Sequence, residues 1–196
     1  KAWGKIENDD MDAESFNIFL GKVFTNYSAF MKSLAAIYVC HPDSASAPKL
    51  AFENSFADKF KKSATIIWVK PMGGLGWQDY RSQHEPILYG WKEGQGKHSF
   101  FGGRDKTSVW QINRDATSTY KHPTQKPVAL VQEAIQNSSK GEDIVMDLFG
   151  GSGSTLIAAE KLNRKCYTME IDPAYCDVII DRYEKLFEKK AEKING

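Results

Sequence analysis

Three observations predict an α/β fold for this 196-residue chain, with helices on both faces of the sheet. Short apolar runs alternate with helical patterns along most of the sequence. One stretch, DIVMDLFGGSGSTLIAAEKLNRKCYTMEID from Asp143 to Asp172, reads as strand, glycine-rich turn, helix and second strand in direct succession. Both strands of that unit end in an acid, Asp147 and Glu170. With 41% hydrophobic residues, the chain can bury one core, with room for a small appended lobe.

The elements follow in order. Asp12 to Leu34 carries Phe16, Phe19, Leu20, Val23, Tyr27, Phe30, Met31 and Leu34 at helical spacing, and Asp9, Asp10 and Asp12 offer an N-cap. These aromatics are expected in the core. Ala35 to Cys40 is a short strand closed by His41-Pro42-Asp43, and Pro48 to Phe60 a helix opening on proline. Ala64 to Val69 and Glu85 to Trp91 are further strands. Between them, PMGGLGWQDYRSQHE (71–85) is a glycine-rich loop carrying Arg81, His84 and Glu85, a mixture common in functional loops. A lone histidine such as His84 is more often structural than catalytic.

Residues 94–121 lack a clear period and hold Lys97, His98, Arg104, Lys106, Arg114 and Lys121, with one short strand, VWQI, at 109–112. A stretch of about 28 residues with so little regular structure is unusual in a compact domain and commonly functional. Bases interleaved with Phe100 and Tyr120 suit contact with nucleic acid. As a charge pattern they suit a solvated loop equally well. HPTQKP (122–127) then leads into a helix from Val128 to Asn137. Pro127 leaves free amides at that helix start, and with Thr124 and Lys126 they can hold a carboxylate.

The Asp143–Asp172 unit suits an adenosine-containing ligand: glycines admit the backbone to close contact, and Glu170 can accept bonds from ribose hydroxyls. A dinucleotide fingerprint would place a third glycine at Leu156, and the Gly-Lys-Ser/Thr of a phosphate loop is missing. Asp147 repels phosphate but attracts a cation. S-adenosylmethionine, with a sulfonium, an amino group and a ribose but no phosphate, fits best. The residues expected to bind it are Thr124, Lys126, Asp147, Phe149, Gly150, Gly151, Ser152, Gly153, Thr155 and Glu170. After Asp172-Pro173 a last helix directs Tyr175, Val178, Ile179, Tyr183 and Leu186 inward, and its charged end, 188–196, is expected to fray.

A net charge of +1 gives no global footprint for nucleic acid, so any such binding must be local. Cys40, Cys166 and Cys176 lack metal-ligand spacing; buried free thiols in a reducing cytoplasm and no metal are expected. No apolar run approaches the ~18 residues of a membrane span, and no signal peptide is recognised.

Together these residues resemble the amino-methylating DNA methyltransferases, which modify the exocyclic amine of adenine or cytosine. HPTQKPVALVQEAI resembles the motif those enzymes place before the cofactor loop, DLFGGSGST the loop itself, and MEIDPAYCDVIIDRYEKL the ribose-binding segment. GLGWQDYRSQHEPILYGWKEG is similar to a stretch of phage and mobile-element members, although Trp77 stands where they often carry a base. The resemblance spans residues 5 to 187 in the beta-class order of motifs. It implies a Rossmann-like sheet with a catalytic half (1–93), a target-recognition segment (94–121) and a cofactor half (122–196), forming one structural domain overall. It further implies a cytoplasmic enzyme that binds duplex DNA, with Arg81, Arg104, Lys106 and Arg114 as DNA contacts. A homodimer and a cognate restriction endonuclease are the other partners considered. Such enzymes flip the target base out and align its amine with the sulfonium methyl. Adenine is expected ahead of cytosine.

The family's catalytic motif, Asp/Asn/Ser-Pro-Pro-Tyr/Phe, is missing, since no Pro-Pro occurs in the sequence. The expectation is therefore an incomplete sheet whose central strand, with the catalytic residues, lies upstream of Lys1. The alternative is a non-catalytic remnant that binds S-adenosylmethionine or DNA. A methyltransferase for RNA, protein or small molecules ranks lower because of the basic segment. A nucleotide-dependent oxidoreductase ranks last for want of the third glycine.

Overall fold

The computed structural model describes residues 10–43, 47–73, 79–115 and 125–194. The chain divides into two compact units, one spanning Asn8–Asn113 and the other running from Arg114 onward. Thr124, Trp77, Tyr120 and Lys121 lie outside the described residues.

The first unit contains α1 (Ala13–Phe30), β1 (Ala36–Cys40), α2 (Ala47–Ala57), β2 (Lys61–Val69), β3 (His84–Trp91) and β4 (Val109–Gln111). Its strands form a mixed sheet in the order β1-β3-β2-β4. β3 is antiparallel to both neighbours, with Tyr38 opposite Tyr89 and Ile66 opposite Ile87, whereas β4 runs parallel to β2 with Trp110 beside Trp68. Phe24, Ile37, Phe56, Phe60 and Leu88 form the buried core between helices and sheet. The Phe24 ring meets Phe56 and Phe60 edge-on at 6.1 and 5.9 Å, the arrangement that aromatic quadrupoles favour. The Trp68 indole, 1% exposed, satisfies its N–H on the Ile112 carbonyl at 2.8 Å, which anchors the chain leaving β4.

Asp12 caps α1, accepting from the Ser15 amide at 2.9 Å and the Ser15 hydroxyl at 2.8 Å. Those bonds hold the Asp12 carboxyl below its usual pKa. The helix ends at Phe30 rather than at Leu34. The Lys92 ammonium takes the Ser28 and Met31 carbonyls, and Leu34 turns to φ 65°. Phe30 consequently lies outside the core, 78% exposed, contrary to its periodicity. β2 starts at Lys61, three residues before the expected Ala64, and α2 stops at Ala57, so Phe60 enters the core from the turn. His98, counted among the bases of the 94–121 segment, is a packing residue. It stacks on Trp91 at 4.3 Å, and its ring nitrogens bond the Leu34 carbonyl and the Tyr89 hydroxyl, each at 2.8 Å.

The second unit contains α3 (Val128–Ser138), β5 (Ile144–Asp147), α4 (Ser154–Lys161), β6 (Lys165–Thr168) and α5 (Pro173–Phe187). β5 and β6 are parallel, with Asp147 beside Thr168. Ile135, Ala158 and Ala159 pack with Val145 and Cys166 to join α3 and α4 to one face of this pair. Alanines at the contact let the helix approach the strands closely. Asp172 caps α5 through the Ala174 amide at 2.8 Å. Only Ile179 of the expected inward stripe is buried, and Leu186 is 49% exposed. The chain after α5 folds back on its helix: Lys190 and the Ala191 amide bond Glu184 at 2.7 and 2.9 Å.

Among the described residues the strands fall into two sheets, in which β1 pairs only with β3 and β5 only with β6. No described helix is long and apolar enough to cross a membrane.

Candidate cofactor site

The glycine-rich turn between β5 and α4 is fastened by two carboxylates. Asp147 accepts the Phe149 amide at 2.9 Å on one oxygen and the Thr155 hydroxyl at 2.6 Å on the other. Both ends of the turn are thereby tied to the end of β5. Glu170, just beyond β6, accepts the Gly151 amide at 2.6 Å and the Asp172 amide at 3.0 Å. Backbone bonds complete the frame: the Gly150 amide donates to Met169 and the Gly153 amide to Gly150, each at 2.7 Å.

Two glycines are required here. A Cβ on Gly150 would lie 2.7 Å from the Thr168 hydroxyl and 3.1 Å from the Met169 carbonyl. Gly153 caps α4 at φ 80°, a left-handed conformation, and its Cβ would press on Ile179 at 3.2 Å. Ser154 donates to the Lys126 carbonyl at 2.7 Å, which joins the Lys126-Pro127 end of HPTQKP to the head of α4. Pro127 itself is fully buried.

Of the residues expected to bind a cofactor, Asp147, Phe149, Gly150, Gly151, Ser152, Gly153, Thr155 and Glu170 belong to this turn and its fastenings. Lys126 is linked to them through Ser154. Ser152 is 4% exposed, so its side chain faces the protein. Phe149, Met169 and Ile171 are more than half exposed and give the strand ends an apolar rim. The sequence reading placed Ile179 inward on the last helix but missed its contact with the turn, and it missed Arg182. Ile179 packs against Gly150 and Gly153, and the Arg182 guanidinium donates to the Ser152 carbonyl. Their three-residue spacing on one helix face was the available signal.

Desolvation raises the Asp147 carboxyl above its usual pKa. The bonds from Thr155 and Phe149 pull it down, and the Glu170 charge pushes it further up. Burial and the Asp147 charge push the Cys166 thiol up to about 12, which leaves it unreactive. Two acids beside one exposed apolar rim favour a ligand with cationic and hydroxyl groups over a phosphate.

The four expected DNA contacts, Arg81, Arg104, Lys106 and Arg114, are all exposed; Arg114 begins the second unit and the other three lie in the first. Nearby, His84 bonds Asp43 at 2.8 Å, and the buried Lys70 ammonium meets Glu85 at 3.3 Å. Gln83 donates to the Lys70 carbonyl at 3.0 Å, closing the base of the 71–85 loop. His84 thus has a structural partner. Among the described residues no cluster of His, Cys, Asp and Glu could hold a metal ion.

The alternating strands, the glycine turn and the two strand-end carboxylates define an α/β protein with the Rossmann-like sheet of the methyltransferases. Residues 3–181 match the family model described as DNA methylase, of the N6 and N4 type, and the chain belongs to that family. Among solved structures it is similar to the M1.HpyAVI–SAM complex, with TM-score 0.72 and 23% identity over 85% of this chain and 83% of that one. It is also similar to the cytosine-N4-specific PvuII DNA methyltransferase, with TM-score 0.74 and 16% identity over 93% of this chain and 76% of that one. At these identities the likeness carries the fold. The Type II methyltransferase M.HinfI of Haemophilus influenzae is 29% identical over 139 residues, 62% of this chain. The chain spans 39% of that relative's length.

Proposed function

We propose that this chain carries the S-adenosylmethionine site of a Type II DNA methyltransferase acting on the exocyclic amine of adenine in duplex DNA. The observation that carries the reading is the glycine turn clasped by Asp147 and Glu170 in a member of the DNA methylase family. The SAM complex of a protein with the same fold supports the choice of cofactor.

The residues fit S-adenosylmethionine. Each Glu170 oxygen already accepts one amide and keeps a lone pair for a ribose hydroxyl. Asp147, desolvated and beside a second acid, gains from a cation. Phe149, Met169 and Ile171 offer an apolar wall for a purine. Lys126, with Thr124, is assigned to the ligand's carboxylate. When bound, the cofactor supplies a methyl group on an electron-poor sulfonium. The chain's own part is to bind and orient: Glu170 fixes the ribose, Asp147 the cationic end, and the glycines permit close approach. Arg81, Arg104, Lys106 and Arg114 are assigned to DNA phosphates. No residue is assigned to the transfer itself, because the sequence holds no Pro-Pro motif. The cytoplasm is the proposed location and a cognate restriction endonuclease the proposed cellular partner.

The test is transfer of tritium from methyl-labelled S-adenosylmethionine to duplex DNA by the protein containing this chain, followed by nucleoside separation. Label in N6-methyladenine is the expected result. Label in N4-methylcytosine moves the substrate to the other base, and the cytosine-specific PvuII likeness keeps that reading in view. A second reading, a binding remnant without turnover, is favoured by the missing Pro-Pro pair. Cofactor binding in calorimetry with no label in any DNA would select it.

A further inference from the structure

The carboxylates hold the glycine turn from its two strands, but a third support comes from α5. Ile179 lies against Gly150 and Gly153, and Arg182, on the same face of the helix, donates to the carbonyl of the buried Ser152. In a trans peptide the C=O and the following N–H point in opposite directions. The Ser152–Gly153 peptide therefore aims its oxygen at Arg182 and its Gly153 amide at the Gly150 carbonyl, 2.7 Å away. A flip of this peptide would lose both bonds. Half-buried beneath the turn, Arg182 is disfavoured as a cation by desolvation, and the Asp115 carboxylate offsets this in part. Asp115 also accepts from the buried Gln125, at a long 3.5 Å. A guanidinium kept charged against one loop carbonyl does more than fill space, since a charge-assisted bond is directional and roughly twice as strong as a neutral one.

We propose that Arg182 is a positioning residue that locks the Ser152–Gly153 peptide, and with it the whole glycine turn, in the form that receives the cofactor. The role in cofactor affinity rests on the function proposed above; the locking of the turn does not. Arg182 touches no reacting atom in this scheme. It presets the amides of Gly151 and Gly153, and Ile179 keeps the turn from sinking into the helix.

The test compares Arg182→Met and Arg182→Lys with the parent protein, first without ligand. Amide hydrogen exchange at Gly151 and Gly153 should quicken about tenfold in Arg182→Met, the effect of losing one charge-assisted bond. The β5–β6 ladder amides should exchange as in the parent, and Arg182→Lys should recover most of the protection. Calorimetry with S-adenosylmethionine should then give a dissociation constant about tenfold weaker for Arg182→Met, and in the methylation assay KM for the cofactor should rise more than kcat falls. Unchanged exchange at Gly151 and Gly153 overturns the proposal. So does quickened exchange spread evenly through the ladder, which would mark Arg182 as a general packing residue. If the turn loosens as expected but the parent binds no S-adenosylmethionine, the locking role stands and the cofactor reading falls.

Discussion

Each unit of the chain is held together internally by its own means. In Asn8–Asn113, five buried groups with three phenylalanines among them fill the space between helices and sheet. In the second unit, the helices close on the strands through Ile135 and two alanines, and the glycine turn is fixed by polar contacts from Asp147, Glu170 and Arg182, by backbone bonds and by Ile179. The first arrangement resists unfolding because apolar area is removed from water. The second gives a precise backbone shape with little bulk. Damage to one unit should therefore read as lost stability, and damage to the other as lost affinity.

The largest effect expected is on the aromatic core. Phe56→Ala should cost about 3–5 kcal/mol in denaturant unfolding, since the fully buried ring leaves a cavity beside Phe24 and Phe60. Exchange at the glycine-turn amides should stay as in the parent; a matching loss there would break the division between the units. Next comes Glu170→Ala, which removes the anchor of the Gly151 and Asp172 amides and the proposed ribose acceptor. Each charged bond lost is worth ~1.5–3 kcal/mol, so calorimetry should find cofactor affinity down by at least about tenfold, with the unfolding midpoint lowered less than by Phe56→Ala.

A smaller effect concerns protons. The folded Asp147 holds its proton above the ordinary value of 3.8, so between that value and its raised one the folded state binds more protons than the unfolded state. Its contribution to stability accordingly falls as pH rises through that window. A cationic ligand prefers the carboxylate, so affinity should rise with pH over the same range, with proton release on binding. Calorimetry in buffers of different ionisation heat measures that release, and Asp147→Asn should abolish it. The smallest effect belongs to the exposed bases. Arg104→Ala or Lys106→Ala should leave stability and cofactor affinity alone and reduce the salt slope of DNA binding by about one counterion each. Unaltered slopes would remove the 94–121 segment from the DNA interface.

These contrasts also explain what could be read in advance. The residues of the turn were legible because Asp147, the glycines, Thr155 and Glu170 lie within one short unit whose spacing is set by strand and helix geometry, but the bonds by which the two acids clasp the turn were not. Arg182 was not, since its bond to Ser152 joins positions thirty residues apart through the docking of α5. His98 read as a base of the recognition segment, yet its ring fills a niche made by Leu34, Tyr89 and Trp91, which only strand pairing brings together. Phe30 kept the helical period of α1 but is the last residue of that helix, where Lys92 takes the Ser28 and Met31 carbonyls. Local chemistry was visible in the sequence; contacts made by long-range closure were not.

The Asp147 clasp has a consequence for the thermodynamics of recognition. By bonding both Phe149 and Thr155, one side chain closes the turn into a small ring as the chain folds. The conformational freedom of that ring is lost at folding, when burial elsewhere compensates, and not when a ligand arrives. Binding at this turn should therefore carry a small entropic penalty from the backbone, and opening the ring with Thr155→Val should make the entropy of binding less favourable even if the enthalpy is kept.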